Sequence, residues 1–474
     1  MERITLADVL EALCDVRPYW ALWPISETVI DSRLASTGCM FVALQGENVD
    51  GHDYVQHAFV KGSAIAIIEH PLPGLSFLDL RSGCNDVTLW EVEAPVCLLV
   101  ENSLLALQKI ASFWRRQINL HVIGITGSVG KSTTKEIVYS VLSQRFLTLK
   151  NQGNLNNEIG LPLTLLGLHR DHQCAVLEMG FYVPGEIALL CDIALPQVGI
   201  ITNIGTVHAQ RAGSQEAIAQ GKSELVQALP AAPEGVAILN YDDALVQAMA
   251  PLTKARVFFY GLDERADLWA DHVEGLGLEG IRFRLHFRNE TLHLRVPLIG
   301  RHSVHTVLRA TAVGLALGLT WQEIVEGLKL PQTQLRLVAV RARNGATILD
   351  DTYNASPEST LAALNLLDEL EGKKIAVLGD MLELGPYEKR GHEMVGVRAA
   401  EVVDELIVVG ELAHMIASAA ETSGLPAQAI TELENTQAAI NFLKNRLQAD
   451  DVVLVKGSHG MQMERIVSAL ELRL

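Results

Sequence analysis

The 474-residue chain has no Cys-x-x-Cys pair, no low-complexity tract, no fixed-period repeat and no stretch near the roughly 18 apolar residues of a membrane span. These absences exclude a zinc ribbon, a thioredoxin-type redox motif, a solenoid and an integral membrane segment. Cys14, Cys39, Cys84, Cys97, Cys174 and Cys191 are scattered, several in apolar runs, and are expected to be buried free thiols in a reducing compartment. Positive charge is also scarce. The 38 Lys and Arg against 56 Asp and Glu give a net charge of −18, which argues against a nucleic-acid or anionic-membrane partner. An anionic substrate must then be met locally, by helix ends, a metal ion and a few basic side chains. The first residues lack the basic and long apolar regions of a secretory leader, so the expectation is a cytoplasmic protein.

What is present is a folded globular composition, 49% hydrophobic and 20% charged. The length exceeds one ordinary core, and three α/β domains are expected. The first, 1–98, alternates short strands and turns around Met40–Leu44 and Ala64–Ile68. The second, 99–331, opens with a helix at Ser103–Gln117 and continues with apolar strands near Val122, Cys174, Val198 and Val236, each separated by helical stretches. That order implies βαβ units and a largely parallel sheet. Alternation from Arg256 to Pro297 predicts a half-exposed antiparallel excursion, closed by a helix over Ser303–Leu317. The third, 332–474, repeats the strand–helix alternation as a smaller open sheet of Rossmann-like character.

The most informative segment is Gly124-Ile-Thr-Gly127-Ser128-Val-Gly130-Lys131-Ser132-Thr133, a glycine-spaced turn between an apolar strand and an amphipathic helix. Glycines let backbone N–H groups approach phosphate oxygens, Lys131 supplies a point charge and the Ser132 hydroxyl can bind Mg²⁺. The strict P-loop spacing fails, because Ile125 stands where its first glycine belongs. Downstream, Asn151, Gln152, Asn154, Asn156 and Asn157 crowd one loop with Glu158, as a solvated turn or as contacts to phosphate or substrate. Glu178 ends an apolar strand, the usual edge for ligands in parallel sheets, where a carboxylate can face Ser132 across a metal ion. His208 ends the next strand region, as a structural histidine or a metal ligand; Lys222, by itself, reads as an ordinary surface lysine. Asp350, Asp351, Tyr353 and Asn354 precede a Ser356-Pro357 helix start in the last third, and Arg336 lies near the hinge.

In this order, these motifs resemble the Mur ligases, the ATP-dependent amide ligases of peptidoglycan synthesis. The resemblance covers essentially the whole chain, and the Asn-rich Gly153–Gly160 segment with Gly379–Gly385 points to the branch that adds D-alanyl-D-alanine to UDP-N-acetylmuramoyl-tripeptide. It implies a small N-terminal UDP-binding domain, a central ATPase domain and a C-terminal Rossmann-like domain. Ser32, Arg33, Gly46, Asp50, Gly51 and His52 match the UDP segment, with Asn154, Asn156, Asn157, Glu158, Lys456 and Ser458 as further substrate contacts. Gly127, Ser128, Gly130, Lys131, Ser132, Thr133, Arg336, Asp351 and Asn354 match the ATP site. Lys131, Glu178, His208, Lys222 and Arg336 take the catalytic roles, and Ser132, Glu178, His208 and a carbamylated Lys222 the Mg²⁺ ligand roles. The implied partners are the two small-molecule substrates, with a monomeric enzyme. Departures from the family pattern fall at Leu335, at His459, and at Ser303 and Thr306, where the family has His-Asn-x-x-Asn. The alternatives are a related ligase, the third-residue-adding enzyme or folylpolyglutamate synthetase, and a P-loop ATPase or switch with no ligase activity.

Overall fold

The computed structural model describes residues 3–46, 49–81, 92–206, 210, 213–329, 338–444 and 446–472. His208, Arg336 and Cys84 lie outside the described residues, as does the expected 331/332 boundary.

Three sheets organise the chain. The first holds five parallel strands, Thr28–Val29, Met40–Val42, Ile65–Ile68, Val96–Leu99 and Phe77–Asp79, in that spatial order. Its middle strands are buried on both faces, which explains their unbroken runs of Met, Phe, Val and Ile. The helix Ser103–Arg116, with Asn102 capping the Leu105 N–H, joins this sheet to the next.

In the second sheet His121–Thr126 lies between Cys174–Glu178 and Val198–Ile201, all parallel. The crossovers diverge there, so the C-terminal end of His121–Thr126 opens into a crevice, the position at which doubly wound sheets bind ligands. Thr148–Lys150 borders one side, and Val236–Asn240 and Arg256–Gly261 extend the other. Helices Lys131–Leu142 and Val304–Ala316 bury apolar faces in one core beneath these strands.

The third sheet places Thr347–Asp351 and Asp451–Lys456 side by side in parallel, followed by Lys373–Gly379, Glu405–Val409 and Ile430–Leu433; Val338–Arg341 is an antiparallel edge. Helix Pro357–Asp368 starts with a reciprocal Ser356/Ser359 capping box and proline in its first turn, as Ser356-Pro357 predicted.

Two expectations need correction. The antiparallel excursion does not begin at Arg256: Arg256–Gly261 pairs in parallel with Val236–Asn240, and Leu268–Gly275 joins it in parallel. Antiparallel pairing starts where Leu268–Gly275 meets Ile281–Phe287 and goes on to Glu290–Val296, and these strands continue the central sheet instead of leaving it. Side-chain alternation reports which faces are exposed, not the direction of the neighbouring strand. The cysteine reading also fails in part: Cys39, Cys97, Cys174 and Cys191 are buried free thiols, but Cys14 is in a disulfide. Burial pushes the Cys97, Cys174 and Cys191 thiols up to about 12.

Candidate active site

The turn 127–130 crosses from the strand His121–Thr126 to the helix Lys131–Leu142 over the side chain of Thr202. A Cβ on Gly127, whose φ is +145°, would come 1.8 Å from Thr202 Oγ1, so any larger residue displaces the turn. Asn203, at the end of the adjoining strand, clamps the turn from outside. Its carbonyl accepts the Ser128 N–H at 2.9 Å and its Oδ1 the Val129 N–H at 2.9 Å. Ser128 Oγ in turn accepts the Gly205 N–H at 2.8 Å. The turn is therefore held by the neighbouring strand before any ligand enters.

Two ammonium groups converge on one carbonyl inside it. Lys131 Nζ donates to Gly127 O at 2.8 Å and Lys222 Nζ donates to the same oxygen at 3.0 Å. Lys222 is 1% exposed, so the reading of it as a surface lysine is wrong. Its helix, Gln215–Gln227, packs so closely that a Cβ on Gly221 would come 2.0 Å from the Phe181 ring, and the Lys222 ammonium lies 4.7 Å from that ring's centroid. Burial, and then repulsion from Lys131, lower the Lys222 ammonium pKa well below the usual lysine value.

Opposite the lysines, Ser132 Oγ donates to Glu178 Oε2 at 2.6 Å, and Asn156 Nδ2 donates to Glu178 Oε1 at 3.0 Å. Glu178 is 1% exposed, at the end of its strand. Its backbone is gripped by Asn151: Oδ1 accepts the Glu178 N–H at 3.0 Å, and Nδ2 donates to Glu178 O at 3.0 Å and to Leu155 O at 2.8 Å. The Ser132 hydroxyl and the Glu178 carboxylate are hard oxygen donors of the kind Mg²⁺ takes, and Glu178 is not part of any group of three or more His, Cys, Asp or Glu side chains among the described residues. The Asn-rich loop thus divides its labour. Asn151 and Asn156 hold Glu178, and Asn157 Oδ1 accepts the Gly160 N–H at 2.9 Å to start the next helix. Asn154 is exposed, and Gln108 Nε2 donates to the Glu158 backbone carbonyl at 3.0 Å. Thr133 is half-buried in the first helical turn. Asn151→Ala leaves two buried backbone groups of Glu178 unpaired and is expected to lower stability by about 2–3 kcal/mol, read from urea unfolding.

The other two sheets hold separate clusters. In the first, His52 Nε2 accepts the Glu69 N–H at 2.9 Å, which leaves Nδ1 to donate to Asp50 Oδ1 at 2.6 Å. Ser32 is buried against His57 Nδ1 at 2.9 Å, while the exposed Arg33 forms its ion pair with Asp31 at 2.7 Å. Gly46 and Gly51 close the intervening turn through backbone bonds to Val49 and Leu44. In the third sheet Asp351 and Lys456 are register partners at adjacent strand ends, 2.6 Å apart, and Lys456 Nζ also donates to Asn354 O at 2.8 Å. Ser458 faces inward, accepting the Leu382 N–H at 2.8 Å, so it pins the 379–385 loop. His392 is fully buried there: Nε2 accepts the Met381 N–H at 3.1 Å and Nδ1 donates to Glu388 O at 2.7 Å. Central and C-terminal sheets touch where Glu358 Oε1 accepts from the Thr206 N–H at 3.1 Å and from its hydroxyl at 3.2 Å, and where Arg301 meets Glu369 at 3.3 Å. A cavity of about 640 Å³ lies beside these contacts, lined by Arg301, Glu358, Asn365, Glu369 and Arg398 among others; it includes no residue of the phosphate turn.

Three models of one family match consecutive parts of this architecture: the Mur ligase family catalytic domain over residues 24–73, the Mur ligase middle domain over 125–314 and the Mur ligase glutamate ligase domain over 335–459. The chain belongs to the Mur ligase family. Among its relatives, a UDP-N-acetylmuramoyl-tripeptide–D-alanyl-D-alanine ligase of Synechocystis is 37% identical over 94% of this chain and 92% of that protein. A crystal structure of MurF from Acinetobacter baumannii superposes with a TM-score of 0.85 at 32% identity, covering 99% and 98% of the two chains. The Thermotoga maritima MurF ligase in complex with ADP does so at 0.78 and 28%, covering 94% and 96%.

Sequence reading missed Thr202 and Asn203, which shape the turn, and Glu358, which bridges two sheets. Thr202 and Asn203 carried a usable signal, since polar residues ending a strand beside a phosphate loop are within its reach.

Proposed function

We propose that the protein is an ADP-forming ligase that joins D-alanyl-D-alanine to UDP-N-acetylmuramoyl-tripeptide in peptidoglycan precursor synthesis, in the cytoplasm and as a monomer. The observation that carries it is the Ser132–Glu178 hydrogen bond together with the convergence of Lys131 and Lys222 on the Gly127 carbonyl, at the C-terminal end of the central sheet. Identity of 32–37% over 93–96% of this chain to proteins named as ligases of that kind supports the choice of substrates.

In this reading residues 1–98 bind the uridine nucleotide through Ser32, Arg33, Gly46, Asp50, Gly51 and His52, 99–331 bind ATP, and 332–474 close over it. The terminal carboxylate of the tripeptide attacks the γ-phosphorus and ADP leaves. The dipeptide amine then attacks the acyl carbon and phosphate leaves. Lys131 and the N–H groups of residues 130–133 take up charge on the transferring phosphoryl, with Arg336 from the interdomain segment. Ser132, Glu178, His208 and Lys222 would hold Mg²⁺, which when bound neutralises the phosphate oxygens. Asp351, held by Lys456, and Asn354 face the nucleotide; the turns carrying Asn154, Asn156, Asn157 and Glu158 and those around Lys456 and Ser458 face the peptide substrates. An ammonium cannot ligate a cation. Burial at 1% exposure favours the neutral amine of Lys222, the form that would combine with CO₂, releasing a proton and leaving a carbamate in the carboxylate role. Lys222→Ala should accordingly lose most activity and regain part of it with short-chain carboxylic acids; absence of rescue in a folded variant removes the carbamate.

The decisive assay is phosphate release from ATP with UDP-N-acetylmuramoyl-tripeptide, with and without D-alanyl-D-alanine. Release that depends on the dipeptide supports the ligase. Release indifferent to both substrates points to an ATPase or switch.

A further inference from the structure

Helix Val304–Ala316 carries Arg309, which is 4% exposed in the apolar core behind the phosphate turn. Its Nε donates to His305 O at 3.0 Å and its Nη2 to Thr306 Oγ1 at 3.0 Å; Nη1 is buried without a hydrogen bond of ordinary geometry, and the only further polar side chain interacting with the guanidinium among the described residues is the neutral Tyr260 phenol. Among the described residues no carboxylate lies within ion-pair distance of it. The buried Tyr260 ring lies beside it, its centroid 5.8 Å from the guanidinium carbon. The guanidinium sits against the turn itself. A Cβ built on Gly130 would come 3.5 Å from Nη2 and 3.6 Å from Nη1.

A guanidinium stays charged in a protein interior, and a buried charge without a counter-ion is costly. The protein has eighteen more acidic than basic residues, and among the described residues none of the acidic ones pairs with Arg309. The free energy lost there must be recovered by an anion that arrives, and the loop in front of Arg309 is the one that admits a polyphosphate. We infer that Arg309 is a positioning residue for the nucleotide: its charge acts through Gly130 on the polyphosphate chain, destabilising the free enzyme and strengthening binding in proportion to phosphate charge. The inference rests on the reading of 127–133 as the ATP site.

Calorimetric binding of AMP, ADP and ATP to wild type, Arg309→Met and Arg309→Lys tests it, together with thermal unfolding of each free protein. Arg309→Met is expected to weaken ATP binding on the order of tenfold, ADP less and AMP least, the scaling of a charge–charge interaction at moderate distance in a partly screened interior. Its ligand-free Tm should equal or exceed that of wild type. Arg309→Lys, which keeps the charge, should retain most of the ATP affinity. An equal loss for all three nucleotides, unchanged affinities, or a lower ligand-free Tm for Arg309→Met overturns the inference and leaves a structural arginine. If wild type binds none of the three nucleotides, the ATP reading fails first; if wild type binds ATP and the variant losses are flat, only the role of Arg309 fails.

Discussion

Ligation by Lys131→Ala is expected to fall by roughly three orders of magnitude in kcat/KM, about 4 kcal/mol of transition-state stabilisation, with little change in Tm. Lys131 is half-buried and its ammonium is held by the Gly127 and Ser128 carbonyls of its own turn, so few packing contacts depend on it. Those two carbonyls are weak partners for a cation. A γ-phosphoryl group entering the turn is a stronger one, and the ammonium can reach it while remaining over the loop. In the proposed reaction, removing the charge takes away one of the groups, beside the helix N-terminus, Arg336, Arg309 and a bound Mg²⁺, that would offset a triphosphate and an approaching carboxylate. Steady-state kinetics with ATP varied at saturating tripeptide and dipeptide, beside a melting curve, checks both halves. Near-normal turnover in the folded variant would remove Lys131 from the chemistry.

The second large effect concerns Glu178, where stability and activity separate by choice of substitution. Glu178→Gln keeps the shape and one acceptor oxygen, for Asn156, while its amide NH₂ can donate to a rotated Ser132 hydroxyl, and it discards the charge. It should lose about 10²- to 10³-fold in activity and shift Mg²⁺ saturation to higher concentration, with Tm close to wild type. Glu178→Ala should lose at least as much activity and also about 1–3 kcal/mol of stability, because Asn156 and Ser132 are left facing a void in a site that is 1% exposed. Activity titrated against Mg²⁺ for both variants, with urea unfolding alongside, resolves the two effects. Equal Mg²⁺ dependence in wild type and Glu178→Gln would show that the carboxylate holds no metal ion.

Much of this site was legible because its parts are local. The strand, glycine turn and helix around Gly127–Ser132 are contiguous, and Glu178 stood out as a carboxylate ending an apolar strand. Lys222 was not legible in that way. On a helix whose pattern is ordinary, a lysine reads as exposed, and only Phe181 packed against Gly221 shows that it points inward. Asn151 presented the same difficulty, since a buried clamp on Glu178, 27 residues away, and a solvated turn amide look alike in one dimension. The antiparallel segment was misplaced for a further reason: the alternation lies in Ile281–Phe287 and Glu290–Val296, whereas Arg256–Gly261, an almost unbroken apolar run, takes its direction from Val236–Asn240.

By itself, the sequence determined the α/β class, the phosphate turn, the order of motifs that marks a Mur ligase, and the acidic balance that forces anions to be met locally. These are properties of residue type, spacing and periodicity, which act over a few turns of chain. Tertiary structure decided which groups meet. Lys131 and Lys222 on one carbonyl, Ser132 on Glu178, Asp351 beside Lys456 and Arg309 behind Gly130 are pairings set by strand order and helix docking. The energies that matter at this site, burial of charge and short hydrogen bonds between distant segments, arise only when the sheet brings those strand ends together.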